Sequence, residues 1–145
     1  MPKIGEVYKS AIPYSGRDDG AEAKLRYFIY LGSSRIFDIP ICYYFETTTT
    51  KGHDEAALER LKEQHPKTCI DFKSTEKGFP DHCVLCLDYI DAKCQTFEKD
   101  YKLEFQNFSI SSEKLHEILV KLEAADISPK DKKNIKESFS IEGVK

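Results

Sequence analysis

The run Leu25-Arg26-Tyr27-Phe28-Ile29-Tyr30-Leu31-Gly32 decides the fold, because it carries the strongest strand signal in the chain. Its aromatic and β-branched side chains suit a pleated surface, and Gly32 with Ser33 and Ser34 supplies a stop. Upstream, Ile4 to Pro13 alternates as a strand, with Gly5 and Pro13 as punctuation. The intervening Ser15 to Lys24 is polar and contains glycine, the composition of a surface loop. Downstream, Phe37 to Thr47 reads as a third strand. Its Pro40 lacks an N–H, which suits an edge or a bulge better than a central ladder. Four threonines, Thr47 to Thr50, and Lys51-Gly52 close it.

Beyond that point the period changes. Asp54 to Gln64 has helical spacing, with Ala57, Leu58 and Leu61 on one face, Asp54 as N-cap and Pro66 as a stop. Strand character returns at Thr68 to Phe72, at His82 to Ile90 and weakly at Tyr101 to Phe105, with a turn at Lys77 to Asp81. The tail is helical. Ser111 or Ser112 caps a helix whose apolar positions Leu115, Ile118, Leu119 and Leu122 follow the i, i+3, i+4, i+7 rule. Ser128-Pro129-Lys130-Asp131 supplies an N-cap, proline at N1 and an acid at N3, with Ile135 and Phe139 as the residues to bury.

Strands first and helices last give an α+β class: a small, strongly bent antiparallel sheet or barrel with an inserted helix and two C-terminal helices. The expectation is a single domain over residues 1–145, with a barrel-like region to 108, its helix at 54–64, and a helical pair over 109–141.

The bulk composition agrees. The chain has 145 residues, enough for one ordinary core, and 40% hydrophobic with 32% charged residues is globular composition. Eight Tyr and nine Phe against no Trp point to a core rich in small aromatic rings. The net charge of −3 leaves no cationic excess, so a nucleic-acid site has to be a local patch. No apolar run approaches the roughly 20 residues that span a bilayer. The start MPKIGEVYKS has no apolar export core, so a cytoplasmic protein with reduced thiols is expected, and five cysteines fit that better than a disulfide framework.

Two groups of residues carry candidate chemistry. His82, Cys83 and Cys86, with His53 and Cys69 upstream, have the residue types of a zinc site. Cys83 and Cys86, however, lie three apart in an expected strand and so point to opposite faces. The better reading is core or edge thiols, with no metal and no cofactor. The second group is Arg26 and the threonines. A guanidinium at the entrance of the best strand can grip a phosphate in bidentate fashion, and Thr47 to Thr50 offer hydroxyls and N–H groups to an oxyanion.

The order of these features resembles the PemK/MazF/Kid toxin family. The resemblance is carried by Gly5-Glu6-Val7-Tyr8, Ile12-Pro13-Tyr14, the polar loop, Leu25-Arg26-Tyr27-Phe28-Ile29-Tyr30-Leu31, and a strand closing in Thr-Thr. The segment from Gly78-Phe79 through Val84-Leu85-Cys86-Leu87-Asp88 continues it. The resemblance implies an SH3-like barrel, usually dimeric, that cleaves single-stranded RNA without a metal and is silenced by a protein antitoxin. It places the working residues at Arg26, at Thr47 or Thr48, and at Asp88. The competing reading is a barrel without turnover that binds a peptide, a protein or a second copy of itself. It would use exposed aromatics of Tyr27 to Leu31 and Cys42 to Phe45.

Overall fold

The computed structural model describes residues 2–13, 25–36, 39–49, 55–73, 78–90 and 97–143. Among them the six strands are β1 (Glu6–Lys9), β2 (Tyr27–Ile36), β3 (Ile39–Thr49), β4 (Cys69–Phe72), β5 (Cys83–Cys86) and β6 (Glu104–Ser109). They form one sheet in the order β4-β5-β3-β2-β1-β6, with every neighbouring pair antiparallel. Four helices accompany them: α1 (Glu55–Gln64), α2 (Phe97–Asp100), α3 (Ser112–Lys121) and α4 (Pro129–Ile141), with a 3-10 turn at Leu122–Ala124. The class is α+β, with a small, bent antiparallel sheet.

β3 links the two parts of the sheet. Its first part pairs with β2, down to Phe28 opposite Glu46, and its last three residues pair with β5, from Thr47 opposite Leu85 to Thr49 opposite Cys83. Pro40 pairs with Arg35 on β2, well before β5 joins, so its missing N–H faces a side with no strand among the described residues.

Several expected boundaries move. The β2 strand does not stop at Gly32 but continues to Ile36 across a register shift between Tyr30 and Ser33. A bulge absorbs the glycine there instead of ending the strand. The first strand shrinks to Glu6–Lys9. The fifth ends at Cys86 because Leu87 and Asp88 turn. The last lies at Glu104–Ser109, past a short helix that its four-residue length hid from periodicity. The loop Ser15 to Lys24 falls outside the described residues, as do Thr50, His53 and the expected cap Asp54.

Alternation along β3 assigns the two faces. Tyr43 points to α4, where its hydroxyl donates to Asp131 Oδ1 at 3.1 Å and accepts from Asn134 Nδ2 at 2.9 Å. Tyr44 points the other way, to Tyr8 and to Phe97 of α2. Under the first face lies the main core, with Ile29, Leu31, Phe45 and Leu85 meeting Leu115, Ile118, Leu122, Ile135 and Phe139 of the tail. At the β4–β5 end of the second face, α1 buries Leu58 against Cys69, Val84 and Cys86. The tail helices start as the sequence requires: Ser111 accepts from Lys114 N, and Ser128 accepts from Asp131 N with Pro129 in the first turn.

Helix α4 lies close on β2, where Ser33 N donates to Ser138 Oγ at 3.0 Å. Gly32 makes that approach possible. Its φ is +133°, and a Cβ there would stand 2.7 Å from Ser138 Cβ. Gly32→Ala therefore combines backbone strain with a clash. It should lower unfolding stability by about 1–3 kcal/mol, read as a lower urea midpoint with an unchanged m-value.

Candidate functional site

Antiparallel register brings Arg26 to a carboxylate. Phe28 stands opposite Glu46, so Arg26, two residues earlier on the same face, meets Glu46 diagonally across the β2–β3 pair. Arg26 Nη1 donates to Glu46 Oε1, with the Glu46 side chain only 3% exposed and that of Arg26 15%. The arginine backbone is fixed as well. Arg26 N donates to Ser10 Oγ at 2.9 Å, and Ser10 N donates to Arg26 O at 3.0 Å. A carboxylate this dry is tolerable because a charged donor reaches it.

The threonines sit where β3 changes partner. Thr47 is buried, and its hydroxyl donates to Tyr27 O at 3.4 Å, so it serves to hold the two strands together. Thr48, two residues beyond Glu46, shares the face of Glu46 and Arg26 and is half-buried. The structure therefore gathers Arg26, Thr47 and Thr48 at one bend. It adds Glu46, which the sequence reading missed. The available signal was a lone acid inside Tyr43-Tyr44-Phe45-Glu46-Thr47, a run otherwise fit for burial, on the strand that follows Arg26.

Asp88 belongs to a different locus, past the end of β5. Its Oδ2 takes Thr68 Oγ1 at 2.8 Å and lies 2.5 Å from His65 Nδ1, while Oδ1 accepts from Asp126 N at 2.7 Å. Cys86 Sγ is 3.9 Å from the same Oδ2. Burial pushes Asp88 upward, but the Asp126 N–H, the Thr68 hydroxyl and His65 outweigh it and hold the carboxyl below its ordinary value. Cys69 lies opposite Cys86 in the β4–β5 register. The Cys69 thiol holds Cys86 down to about 7 against its burial, and Cys69 is pushed up in return. This is not a Cys-His-Asp nucleophile set, because the second imidazole nitrogen, Nε2, meets the Tyr89 hydroxyl at 3.2 Å rather than a thiol.

The remaining zinc candidates separate. Cys83 faces the main core and Cys86 the small cluster under α1, on opposite sides of β5 as strand periodicity requires. His82 joins Asp71 and Glu55, and His53 lies outside the described residues. Among the described residues, the group with metal-ligating atoms close together is His65, Cys86 and Asp88. A separate cleft of about 400 Å³ lies between β6 and the start of α3, lined by Phe72, Phe79, Phe108 and Lys114 among others.

The aromatics proposed for an exposed binding surface are not exposed. Phe28 to Leu31 and Tyr43 to Phe45 are buried, because both faces of these strands are covered. No helix among the described residues is long and apolar enough to cross a membrane. No protein-family model, curated protein or solved structure matches the chain.

Asp88 generates a pH prediction. Its folded pKa lies below 3.8, so its contribution is present at neutral pH and is lost as pH falls through the folded value. Asp88→Asn should cost about 1–3 kcal/mol at pH 7. It should also flatten the loss of stability below about pH 4, both read from urea melts across pH.

Proposed function

We propose that this protein is a PemK/MazF-like endoribonuclease that cleaves single-stranded RNA without a metal, at the bend formed by Arg26, Glu46 and Thr48. The observation that carries the reading is the pairing of Arg26 with the buried carboxylate of Glu46, on the face that Thr48 shares. Transesterification of RNA needs a base for the ribose 2′-OH and a cation for the phosphate. The pair supplies one of each within a single contact.

In this reading Glu46 Oε takes the proton of the 2′-OH as that oxygen attacks the adjacent phosphorus. The bond from phosphorus to the 5′-oxygen breaks, leaving a 2′,3′-cyclic phosphate, and the 5′-oxygen takes a proton from water. Arg26 keeps its proton throughout, since a guanidinium is always charged, and its fork stabilises charge on the phosphoryl oxygens. Thr48 adds a hydroxyl to the same oxygens, while Thr47 stays committed to Tyr27. Asp88, placed among other partners, supports the fold and leaves the base role to Glu46. A protein antitoxin with an acidic segment would compete with the phosphate for Arg26, and a homodimer would bring two such bends into one particle.

A binding module without turnover is the second reading, and the cleft beside Phe79 and Phe108 is the feature that favours it. An RNA digest separates the two. Purified protein should release cyclic-phosphate ends from single-stranded RNA in buffer without divalent ions. Glu46→Gln should slow this by about 10²–10⁴-fold, and Arg26→Lys should also impair it, with both variants retaining native circular dichroism. Wild type that leaves RNA intact, or variants that cut as fast as wild type, would contradict the enzyme.

A further inference from the structure

Three side chains with ligating atoms, those of His65, Cys86 and Asp88, converge beneath α1, and Cys69 stands across the β4–β5 pair from Cys86 with its Sγ donating to Leu61 O at 3.7 Å. Leu87 N donates to Thr68 O at 2.9 Å, which makes Thr68 and Leu87 a hydrogen-bonded pair. Cys69 and Cys86, one residue further in, are then a non-hydrogen-bonded pair, the position at which opposed side chains approach most closely. The turn after β5 carries Asp88 back toward Cys86, and the residue after α1 is His65. The ligand atoms of His65, Cys86 and Asp88 all lie within 4.8 Å of one another. A tetrahedral zinc centre holds its ligand atoms about 3.3–3.8 Å apart, given bonds of about 2.0–2.3 Å. The 3.9 Å between Cys86 Sγ and Asp88 Oδ2 is close to that spacing.

The surroundings also suit a metal. His65 Nε2 is engaged by the Tyr89 hydroxyl, which leaves Nδ1 directed at the cluster. Thr68 and Asp126 orient the Asp88 carboxylate. Outer partners of this kind fix ligands in real metal centres. The thiols lie inside, under Leu58, while His65 and Asp88 form a rim with side chains 19% and 12% exposed, through which an ion can enter.

We propose that Cys69, Cys86, His65 and Asp88 form a structural zinc site that ties the end of α1 to the β4–β5 hairpin. Two thiolates select zinc over magnesium or calcium, and four protein ligands close the coordination sphere, which suits a structural rather than a catalytic ion. On binding, each thiol gives its proton to solvent, His65 exchanges its contact with Asp88 for the metal, and Cys69 Sγ turns from Leu61 O to complete the set. The site is independent of the Arg26–Glu46 bend.

The test uses the full chain, purified under reducing conditions, with zinc and cobalt as probes. Wild type should retain about one zinc per chain after dialysis. With cobalt it should show tetrahedral visible bands and a thiolate-to-cobalt charge-transfer band in the ultraviolet. Cys86→Ser should remove about half of that charge-transfer intensity. His65→Gln, at the rim and so less exposed to folding defects, should weaken zinc binding about 10–100-fold while keeping the thiolate band. Reduced wild type without retained zinc, a cobalt spectrum lacking thiolate absorption, or a spectrum unchanged by Cys86→Ser but lost in His82→Gln would each overturn the proposal.

Discussion

The change of partner along β3 is the constraint on which the rest of the structure depends. Up to Glu46 the strand is held by β2, and from Thr47 it is held by β5. β2 lies along one edge of β3 and β5 along the other, so the sheet continues past the start of β2. The Thr47 hydroxyl secures the hand-over by reaching back to Tyr27 O. The β2–β3 register brings Arg26 and Glu46 into contact there. A buried ion pair adds little net stability against an apolar substitute, but losing one partner leaves a dry charge and costs about 3–5 kcal/mol. The proposed RNA-cleaving role gives such a pair a use that stability alone does not.

The two faces of the sheet have separate roles. One is filled by the tail helices, with α4 fastened to β2 and β3 through Ser138, Asp131 and Asn134. The other carries the polar chemistry between two apolar patches, the aromatic rings around Phe97 and the small cluster beneath α1. Arg26 and Glu46 lie at the β2–β3 register, and Cys69, Cys86, His65 and Asp88 lie at the far end of β4 and β5. A rigid sheet joins the two loci, and neither borrows a side chain from the other.

Much of the fold was legible in the sequence because the strong signals were local. The Ser128-Pro129 start, the Leu115-Ile118-Leu122 stripe and the run Tyr27 to Leu31 each depend on residues close in sequence. The face rule for Cys83 and Cys86 also held, since a two-residue period needs no tertiary information. What stayed hidden was cross-strand. Glu46 matters because Phe28 stands opposite it, and His65 matters because a turn after Cys86 delivers Asp88 to it. Neither register nor turn is written in a local period. The exposed aromatics failed for a related reason: composition shows that Tyr and Phe favour strands, but not that both faces are covered.

The central claim is that Arg26 and Glu46 are kept together for chemistry and not for stability, and a double-mutant cycle measures both at once. Unfolding free energy and RNA cleavage would be followed in Arg26→Met, Glu46→Gln and the double variant. The account predicts that Arg26→Met is strongly destabilised, that the double variant recovers most of that loss, and that all three fail to cleave, with no additivity in rate. A double variant that is stable and still cleaves RNA at the wild-type rate would contradict it.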